Sequence, residues 1–114
     1  MFRKMNIYFT DYFKKQLKDL KKKYPHAKED LIDTLDIFNP GKEIMIGGSI
    51  YKIRIISRDM KRGKAGGFRA YVFLFVKKNI LVPLYIYSKT EIENISRNDL
   101  KYYFDRVIED LMGL

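Results

Sequence analysis

The sequence lacks several residue types on which common enzyme chemistries depend. It has no cysteine among its 114 residues, which excludes disulfide bonds, thiol catalysis and thiolate metal sites. His26 is the single histidine, so a mechanism that needs two imidazoles is excluded. Because His26 sits at a predicted helix start, we expect it to be a surface residue rather than a catalytic one. The absence of cysteine also fits a reducing cytoplasm.

Long apolar runs are absent as well. The longest run, Ala70–Val76, is far shorter than the roughly 20 residues that cross a bilayer. No apolar stretch follows residues 1–6, which include Arg3 and Lys4, so no signal peptide is visible. We therefore expect a cytoplasmic protein without membrane contact. Hydrophobic residues make up 46% of the chain, which is enough for one ordinary core, and we predict a single domain over residues 1–114.

Acidic side chains are scarce where basic ones are dense. The net charge is +9, from 23 basic and 14 acidic residues. Residues 51–69 hold seven basic and one acidic side chain, a net of +6, whereas residues 90–114 hold three basic and six acidic ones, a net of −3. Charge focused in this way is typical of a nucleic-acid interface. The alternative is a biased genome composition, which would account for the lysines better than for Arg54, Arg58, Arg62 and Arg69.

The most basic stretch is also rich in glycine. Residues 58–69 contain Gly63, Gly66 and Gly67, five basic side chains and Asp59 as the one acid. Glycine lets a backbone approach an anion closely, and lysine and arginine supply the charge. The stretch matches neither the Walker loop nor the dinucleotide fingerprint, because a strand follows it. A flexible hairpin connection would explain the glycines, but not Arg69, which begins an apolar strand and needs a partner or a ligand there.

Periodicity predicts the order β–α–α–β–β–β–α, an α+β domain with a small antiparallel sheet, an N-terminal helical hairpin and a C-terminal helix. The first helix is capped by Thr10 or Asp11 and ends at Tyr24-Pro25, and the second ends at Asn39-Pro40-Gly41. Residues 44–49 are predicted to form either a short strand or a turn. Ser96 begins the last helix in a capping box.

Three strands flank the glycine-rich stretch, at residues 50–57, 68–76 and 80–88. In the first, Tyr51, Ile53 and Ile55 alternate with Lys52, Arg54 and Ile56. If Val76 pairs with Ile80 in the following hairpin, Arg69 lies opposite Tyr87 and Tyr71 lies opposite Tyr85. This register groups Arg69, Tyr71, Tyr85, Tyr87 and Lys89 on one face. Pro83 indicates an edge position or a site without a ladder hydrogen bond.

These residues together resemble a known family, the RelE/ParE superfamily of toxins from type II toxin–antitoxin systems, and in particular its RelE/HigB branch. The resemblance extends over residues 7–111. It rests on the order of elements and on four segments: Lys23-Tyr24-Pro25, Tyr51-Lys52-Ile53-Arg54, the stretch from Arg62 to Arg69, and Leu84-Tyr85-Ile86-Tyr87-Ser88-Lys89 followed by Asn94-Ile95-Ser96.

The resemblance implies a RelE-like fold and a bacterial toxin that cuts mRNA in the ribosomal A site. It implies a cognate antitoxin as partner, together with mRNA and the ribosome, and contact with operator DNA only through the antitoxin complex. It implies no cofactor and no metal. The reaction is attack of the RNA 2′-OH on the adjacent phosphate, for which cations stabilise the charge that develops on the phosphoryl oxygens.

The resemblance also places the site residues by motif position. Arg69 stabilises the phosphate, Lys64 and Arg62 contact phosphate or transfer protons, Lys89 is a second cation, and Tyr87 stacks on a base or donates a proton. The RNA contacts are expected from Lys52, Arg54, Arg58, Lys61 and Tyr85. The sequence shows no acidic general base.

Three other functions stay open at this point. A ParE-like toxin of the same fold would bind DNA gyrase, although the cationic loop and Lys89 argue against it. A non-catalytic RNA-binding module would use the basic face and tyrosine stacking. A silenced remnant would keep the fold without activity.

Overall fold

The computed structural model describes residues 5–60, 66–88 and 95–112. Along the chain the elements are β1 (Asn6–Ile7), α1 (Asp11–Lys23), α2 (Ala27–Asp36), β2 (Ile44–Gly47), β3 (Ile50–Ile55), β4 (Phe68–Phe75), a single 3₁₀ turn (Val76–Lys78), β5 (Ile80–Ser88) and α3 (Arg97–Met112). This order confirms the predicted α+β fold. Residues 44–49, for which a short strand or a turn was predicted, contain the strand β2. The predictions made for Lys61, Arg62, Lys64 and Lys89 lie outside the described residues.

One five-stranded sheet has the strand order β1-β5-β4-β3-β2. The strands β3 to β5 pair antiparallel, as predicted, and β2 adds a further antiparallel pair with β3. The short β1 adds a parallel pair through Asn6 and Ile7 against Ile80 and Leu81 of β5, so the sheet is mixed. Beyond Leu81 the outer side of β5 faces α1, where the Gln16 side chain accepts a hydrogen bond from the Ile86 backbone N–H at 2.9 Å.

Side-chain caps set the start of two helices. The Thr10 hydroxyl accepts a hydrogen bond from the Phe13 N–H at 3.1 Å and begins α1. The Ser96 hydroxyl accepts one from the Asp99 N–H at 3.1 Å and begins α3. Both caps satisfy backbone donors that a helix start would leave unpaired. The sequence predicted Ser96, and it left Thr10 and Asp11 as alternatives.

The sheet separates two apolar layers. Its first face carries Tyr51, Ile53 and Ile55, which pack against buried residues of α1 and α2, including Phe13 and Leu31. The alternation predicted for β3 is therefore confirmed. The second face packs against α3. The buried residues of this layer include Tyr71, Leu84 and Tyr87 of the sheet and Val107 and Leu111 of α3. Side chains of Lys52 and Arg54 point to this second face, because they alternate with the buried residues of β3.

The register of the β4–β5 hairpin differs from the prediction at its closed end. Phe75, not Val76, lies opposite Ile80, because Val76 begins the 3₁₀ turn. Leu84 is an extra residue in β5 between the pairs Val72↔Pro83 and Tyr71↔Tyr85. This bulge shifts the register by one residue. The predicted pairs Arg69↔Tyr87 and Tyr71↔Tyr85 are thereby correct, although the pairing from which they were derived is wrong.

Within the described ranges, no helix combines the length and the apolar character that a membrane span requires.

Candidate functional site

Three cations lie on the second face of the sheet, on two adjacent central strands. Lys52 and Arg54 of β3 lie opposite Tyr71 and Arg69 of β4. We call Lys52, Arg54 and Arg69 the cationic row. Arg54 and Arg69 face each other directly, which places their Cβ atoms about 5 Å apart. Like charges in this position repel one another, so the arrangement does not serve the stability of the sheet.

Arg69 is the most unusual member of the row, because it is a buried cation. Only 8% of its surface is exposed. Its one hydrogen bond within the described part of the chain runs from Nη1 to the Phe68 carbonyl oxygen at 3.3 Å, although a guanidinium has five donors. Burial, and then the nearby Arg54, lower the pKa of Arg69. No carboxylate of the described residues contacts it, so this site favours an added anion.

Tyr87 lies opposite Arg69 and brings a second unsatisfied group. It is 3% exposed, and its hydroxyl is buried without a hydrogen-bond partner. Burial, followed by the nearby Tyr71, raises the pKa of Tyr87 to about 12. The Tyr71 hydroxyl influences this pKa, but its position falls short of hydrogen-bond geometry. With that pKa only about one Tyr87 in 10⁵ is deprotonated at pH 7, so the hydroxyl can donate a proton but is a poor base.

A group of stacked tyrosines connects this end of the sheet to α3. The rings of Tyr71 and Tyr87 are 6.2 Å apart, those of Tyr85 and Tyr87 are 5.8 Å apart, and those of Tyr85 and Tyr103 are 4.9 Å apart. The Lys52 ammonium lies 5.9 Å from the centre of the Tyr71 ring, which is a cation–π distance. Burial raises the pKa of Tyr85 and of Tyr103. The stack holds the aromatic side of the site in place.

Arg58, predicted to contact RNA, is bound to carboxylates of α2 instead. Its Nε donates to Asp30 at 2.7 Å, and its Nη2 and Nη1 reach Asp33 at 2.9 Å and Glu29 at 3.4 Å. Asp30 also accepts from the Arg58 backbone N–H at 3.1 Å. The hydrogen bond to Asp30 is the main reason that the pKa of Arg58 is raised. We therefore assign Arg58 to anchoring the chain that leaves β3, and no longer to RNA contact.

His26 and Asp59 form a second anchor beside the first. The Asp59 carboxylate accepts from the His26 backbone N–H at 2.7 Å, and its other oxygen lies 2.7 Å from Nδ1 of His26. This hydrogen bond raises the pKa of His26 and lowers that of Asp59. As expected from the sequence, His26 lies at the surface near the start of α2. Its part in holding the glycine-rich stretch to α2 was not predicted.

The two described parts of the glycine-rich stretch, residues 58–60 and 66–69, contact each other through Gly67. The Gly67 N–H donates to Sδ of Met60 at 2.8 Å. Gly67 has φ +93°, and a Cβ atom there would lie 2.3 Å from the Ile55 carbonyl oxygen. Only glycine fits this close approach. The constraint fixes where β4 begins, and with it the position of Arg69.

Five of the ten predicted site residues are thus placed on one face: Lys52, Arg54, Arg69, Tyr85 and Tyr87. Arg58 points away to α2, and the other four lie outside the described ranges. Within those ranges no group of three His, Asp or Glu side chains could hold a metal ion.

Comparison with known proteins gives the family. The profile described as "RelE toxin of RelE / RelB toxin-antitoxin system" matches residues 5–109. Among solved structures, a mutant of the E. coli toxin RelE in the free state matches with a TM-score of 0.53 and 14% sequence identity, over 80% of this chain and 90% of that chain, which supports the fold. No curated protein sequence matches closely enough to count as a relative. With a family profile that spans nearly all of its length, this chain belongs to the RelE toxin family.

Proposed function

We propose that this chain is a toxin that cleaves mRNA on the ribosome without a metal ion. The observation that carries the proposal is the buried Arg69, which has no carboxylate partner among the described residues, faces Arg54, and lies beside the unpaired hydroxyl of Tyr87. A phosphate seated here would supply the missing negative charge. Family membership supports the proposal, since the family is that of RelE toxins.

The proposed reaction is an in-line transesterification. The RNA 2′-oxygen forms a bond to the adjacent phosphorus, and the bond from phosphorus to the 5′-oxygen breaks, which leaves a 2′,3′-cyclic phosphate. Arg69 and Arg54 neutralise the charge that develops on the phosphoryl oxygens. Tyr87, which stays protonated at neutral pH because its pKa is raised to about 12, gives its proton to the leaving 5′-oxygen.

The remaining proton transfer is proposed for the glycine-rich stretch. Lys64 takes the proton from the 2′-OH, and Arg62 and Lys89 add charge around the phosphate. Lys52, Lys61 and Tyr85 bind the flanking RNA through charge and stacking. A lysine among several cations has a lowered pKa, which is the direction that a general base needs.

The proposed partners follow from the family. A cognate antitoxin binds and silences the toxin, mRNA and the ribosome form the substrate, and operator DNA is contacted only through the antitoxin complex.

Induced expression in a bacterial host tests the proposal, with mRNA 5′ ends mapped in the wild type and in Arg69→Ala. The wild type is expected to stop growth and to produce new 5′ ends at codon positions, whereas Arg69→Ala produces neither. Arg106→Ala is a matched control, because Arg106 is an exposed arginine of α3 outside the cationic row. Growth arrest without cleavage would point to a protein target such as gyrase. RNA binding without arrest or cleavage, by a folded protein, would point to a non-catalytic module.

A further inference from the structure

A groove between α1 and α2 carries a second concentration of positive charge. It has a volume of about 210 Å³ and is lined by Phe9, Lys14, Leu17, Lys18, Lys21 and Lys28. We call it the lysine groove. Leu17 packs in the layer against the first face of the sheet, whereas the cationic row lies on the second face. The two basic surfaces are therefore on opposite sides of the sheet.

The lysines of this groove are not explained by internal ion pairs. Lys14 lies 3.9 Å from Asp11, a highly exposed carboxylate. For Lys18, Lys21 and Lys28, no carboxylate of the described residues lies within ion-pair distance. Elsewhere on α1, Lys22 does have such a partner, Asp19, at 3.5 Å. Three of the four lysines that line the groove are thus without a carboxylate partner among the described residues.

Lys28 is also placed against the preference of its own helix. It lies in the first turn of α2, which begins at Ala27. A helix start carries partial positive charge, so a cation there is unfavourable and an anion is favoured. The helix therefore gains nothing from Lys28, whose side chain instead completes the groove opposite the lysines of α1.

The floor of the groove indicates what kind of anion it takes. Phe9 and Leu17 form an apolar floor between the lysines, and a sugar–phosphate backbone offers little apolar surface to bury there. The volume is also below the roughly 300 Å³ that small-molecule sites start from. A short protein segment with aliphatic side chains flanked by Asp or Glu fits both features. Its aliphatic side chains would pack on Phe9 and Leu17, and its carboxylates would pair with the surrounding lysines.

We propose that the lysine groove docks an acidic amphipathic segment of the cognate antitoxin, on the side of the sheet opposite the cationic row. This inference rests on the proposed toxin function for the identity of the partner. The apolar floor anchors the segment, and the lysines speed its association and select its acidic pattern. Silencing then begins on a surface that the RNA site does not use.

The test compares two charge-reversed variants that have the same net charge. The groove variant is K18E/K21E/K28E, and the control is K15E/K22E/K42E, whose lysines are exposed and do not line the groove. Both are made on an Arg69→Ala background to permit expression, and their binding to the purified antitoxin is measured by calorimetry. The groove variant is expected to bind about 10- to 100-fold more weakly than the parent, and the control within about threefold. The neutral variant K18Q/K21Q/K28Q is expected to lie between parent and groove variant.

Three results would overturn the docking proposal. These are unchanged affinity of the groove variant, an equal loss in both triple variants, and a loss of single-stranded RNA binding in the groove variant while antitoxin binding is kept. Circular dichroism confirms that each variant is folded. Because calorimetry needs no cleavage, it stands apart from the growth assay: a wild-type chain that fails to cut mRNA would refute the proposed function and leave the docking result readable.

Discussion

At the scale of single residues, the cationic row combines groups that a stable sheet would avoid. Arg54 faces Arg69, Arg69 is buried without a carboxylate among the described residues, and the Tyr87 hydroxyl is buried without a hydrogen bond. Each of these features costs stability in the free protein. An anion that binds between them would remove all three costs together, so stability and RNA binding should respond in opposite directions to substitutions here.

Arg54→Gln separates the two effects. Removing one of two facing charges should raise the free energy of unfolding by up to about 1 kcal/mol. If Arg54 contacts phosphate as proposed, the same substitution should weaken RNA binding. Urea denaturation and RNA-binding titration of the same preparation measure the two quantities. Arg106→Gln, on α3, should change neither by a comparable amount. If Arg54→Gln lowered stability, the repulsion inferred across β3 and β4 would be wrong.

Tyr87→Phe removes only the buried hydroxyl. Because that hydroxyl has no hydrogen-bond partner, its loss should leave the melting temperature unchanged or slightly higher. If Tyr87 donates the proton to the leaving oxygen, the cleavage rate should fall by about 10²- to 10⁴-fold. Single-turnover cleavage of ribosome-bound mRNA measures the rate. A Tyr87→Phe variant that cuts at the wild-type rate would limit Tyr87 to packing.

At the scale of elements, α2 holds the beginning of the glycine-rich stretch through contacts that the sequence could not reveal. Arg58 reaches residues 25 to 29 positions away, and His26 and Asp59 are 33 positions apart. A basic residue in a basic stretch suggests an RNA contact, and nothing local indicates that Arg58 turns to α2. Its role became clear only from the packing of α2 beside the end of β3.

The pair of His26 and Asp59 should make stability depend on pH. The pKa of His26 is raised above 6.5, so its contribution is complete below about pH 6.5 and disappears as the pH rises through the folded-state value. The pKa of Asp59 is lowered below 3.8, so its contribution is lost as the pH falls through that lower value. The stability gap between wild type and His26→Gln should therefore be widest at about pH 4 to 6.5 and should narrow as the pH rises through the folded-state pKa of His26. Denaturation across this range measures it, and a gap independent of pH would contradict an ionic pair.

Gly67 sets the geometry at the start of β4, and its substitution tests how strictly. Gly67→Ala would place Cβ 2.3 Å from the Ile55 carbonyl oxygen at φ +93°, so it should cost more than about 3 kcal/mol of unfolding free energy. Gly48→Ala is the control, because Gly48 also has positive φ, +55°, but open space around it. It should cost only about 1 to 2 kcal/mol. Equal costs at the two positions would mean that the clash, and with it the close approach of Gly67 to β3, is not as described.

Local pattern predicted the strands themselves far better than their connections. The alternation of Tyr51, Ile53 and Ile55 gave the faces of β3, because a strand repeats every two residues. For the β4–β5 hairpin, the pairing predicted at the turn was wrong by one residue. The bulge at Leu84 compensates for this shift, so the predicted pairs beyond it are correct. A bulge depends on the packing of both strands, and from the sequence Pro83 alone marked the region as irregular.

At the scale of the whole molecule, which has a net charge of +9, two surfaces bring cations together: the cationic row and the lysine groove. Of the seven basic residues that the sequence showed at 51–69, Lys52, Arg54 and Arg69 lie on one face of the sheet. The lysines of α1 are exposed, as the charged side of a surface helix usually is. Only the meeting of α1 with Lys28 of α2 around an apolar floor distinguishes the lysine groove from an ordinary solvated surface.

The dependence of RNA binding on salt should show which surface contacts RNA. Each phosphate contact on a single strand contributes about −0.7 to the slope of log affinity against log salt concentration. Lys52→Ala and Arg54→Ala should therefore each flatten the slope by about 0.7. K18E/K21E/K28E should weaken binding only slightly and keep the slope, since its residues lie across the sheet from the row. Titration of a cleavage-resistant 2′-O-methyl RNA from low to high salt measures all four proteins. If the groove variant flattened the slope by about two units while the row variants kept it, RNA would follow the helical hairpin, and the assignment of the two faces would have to be exchanged.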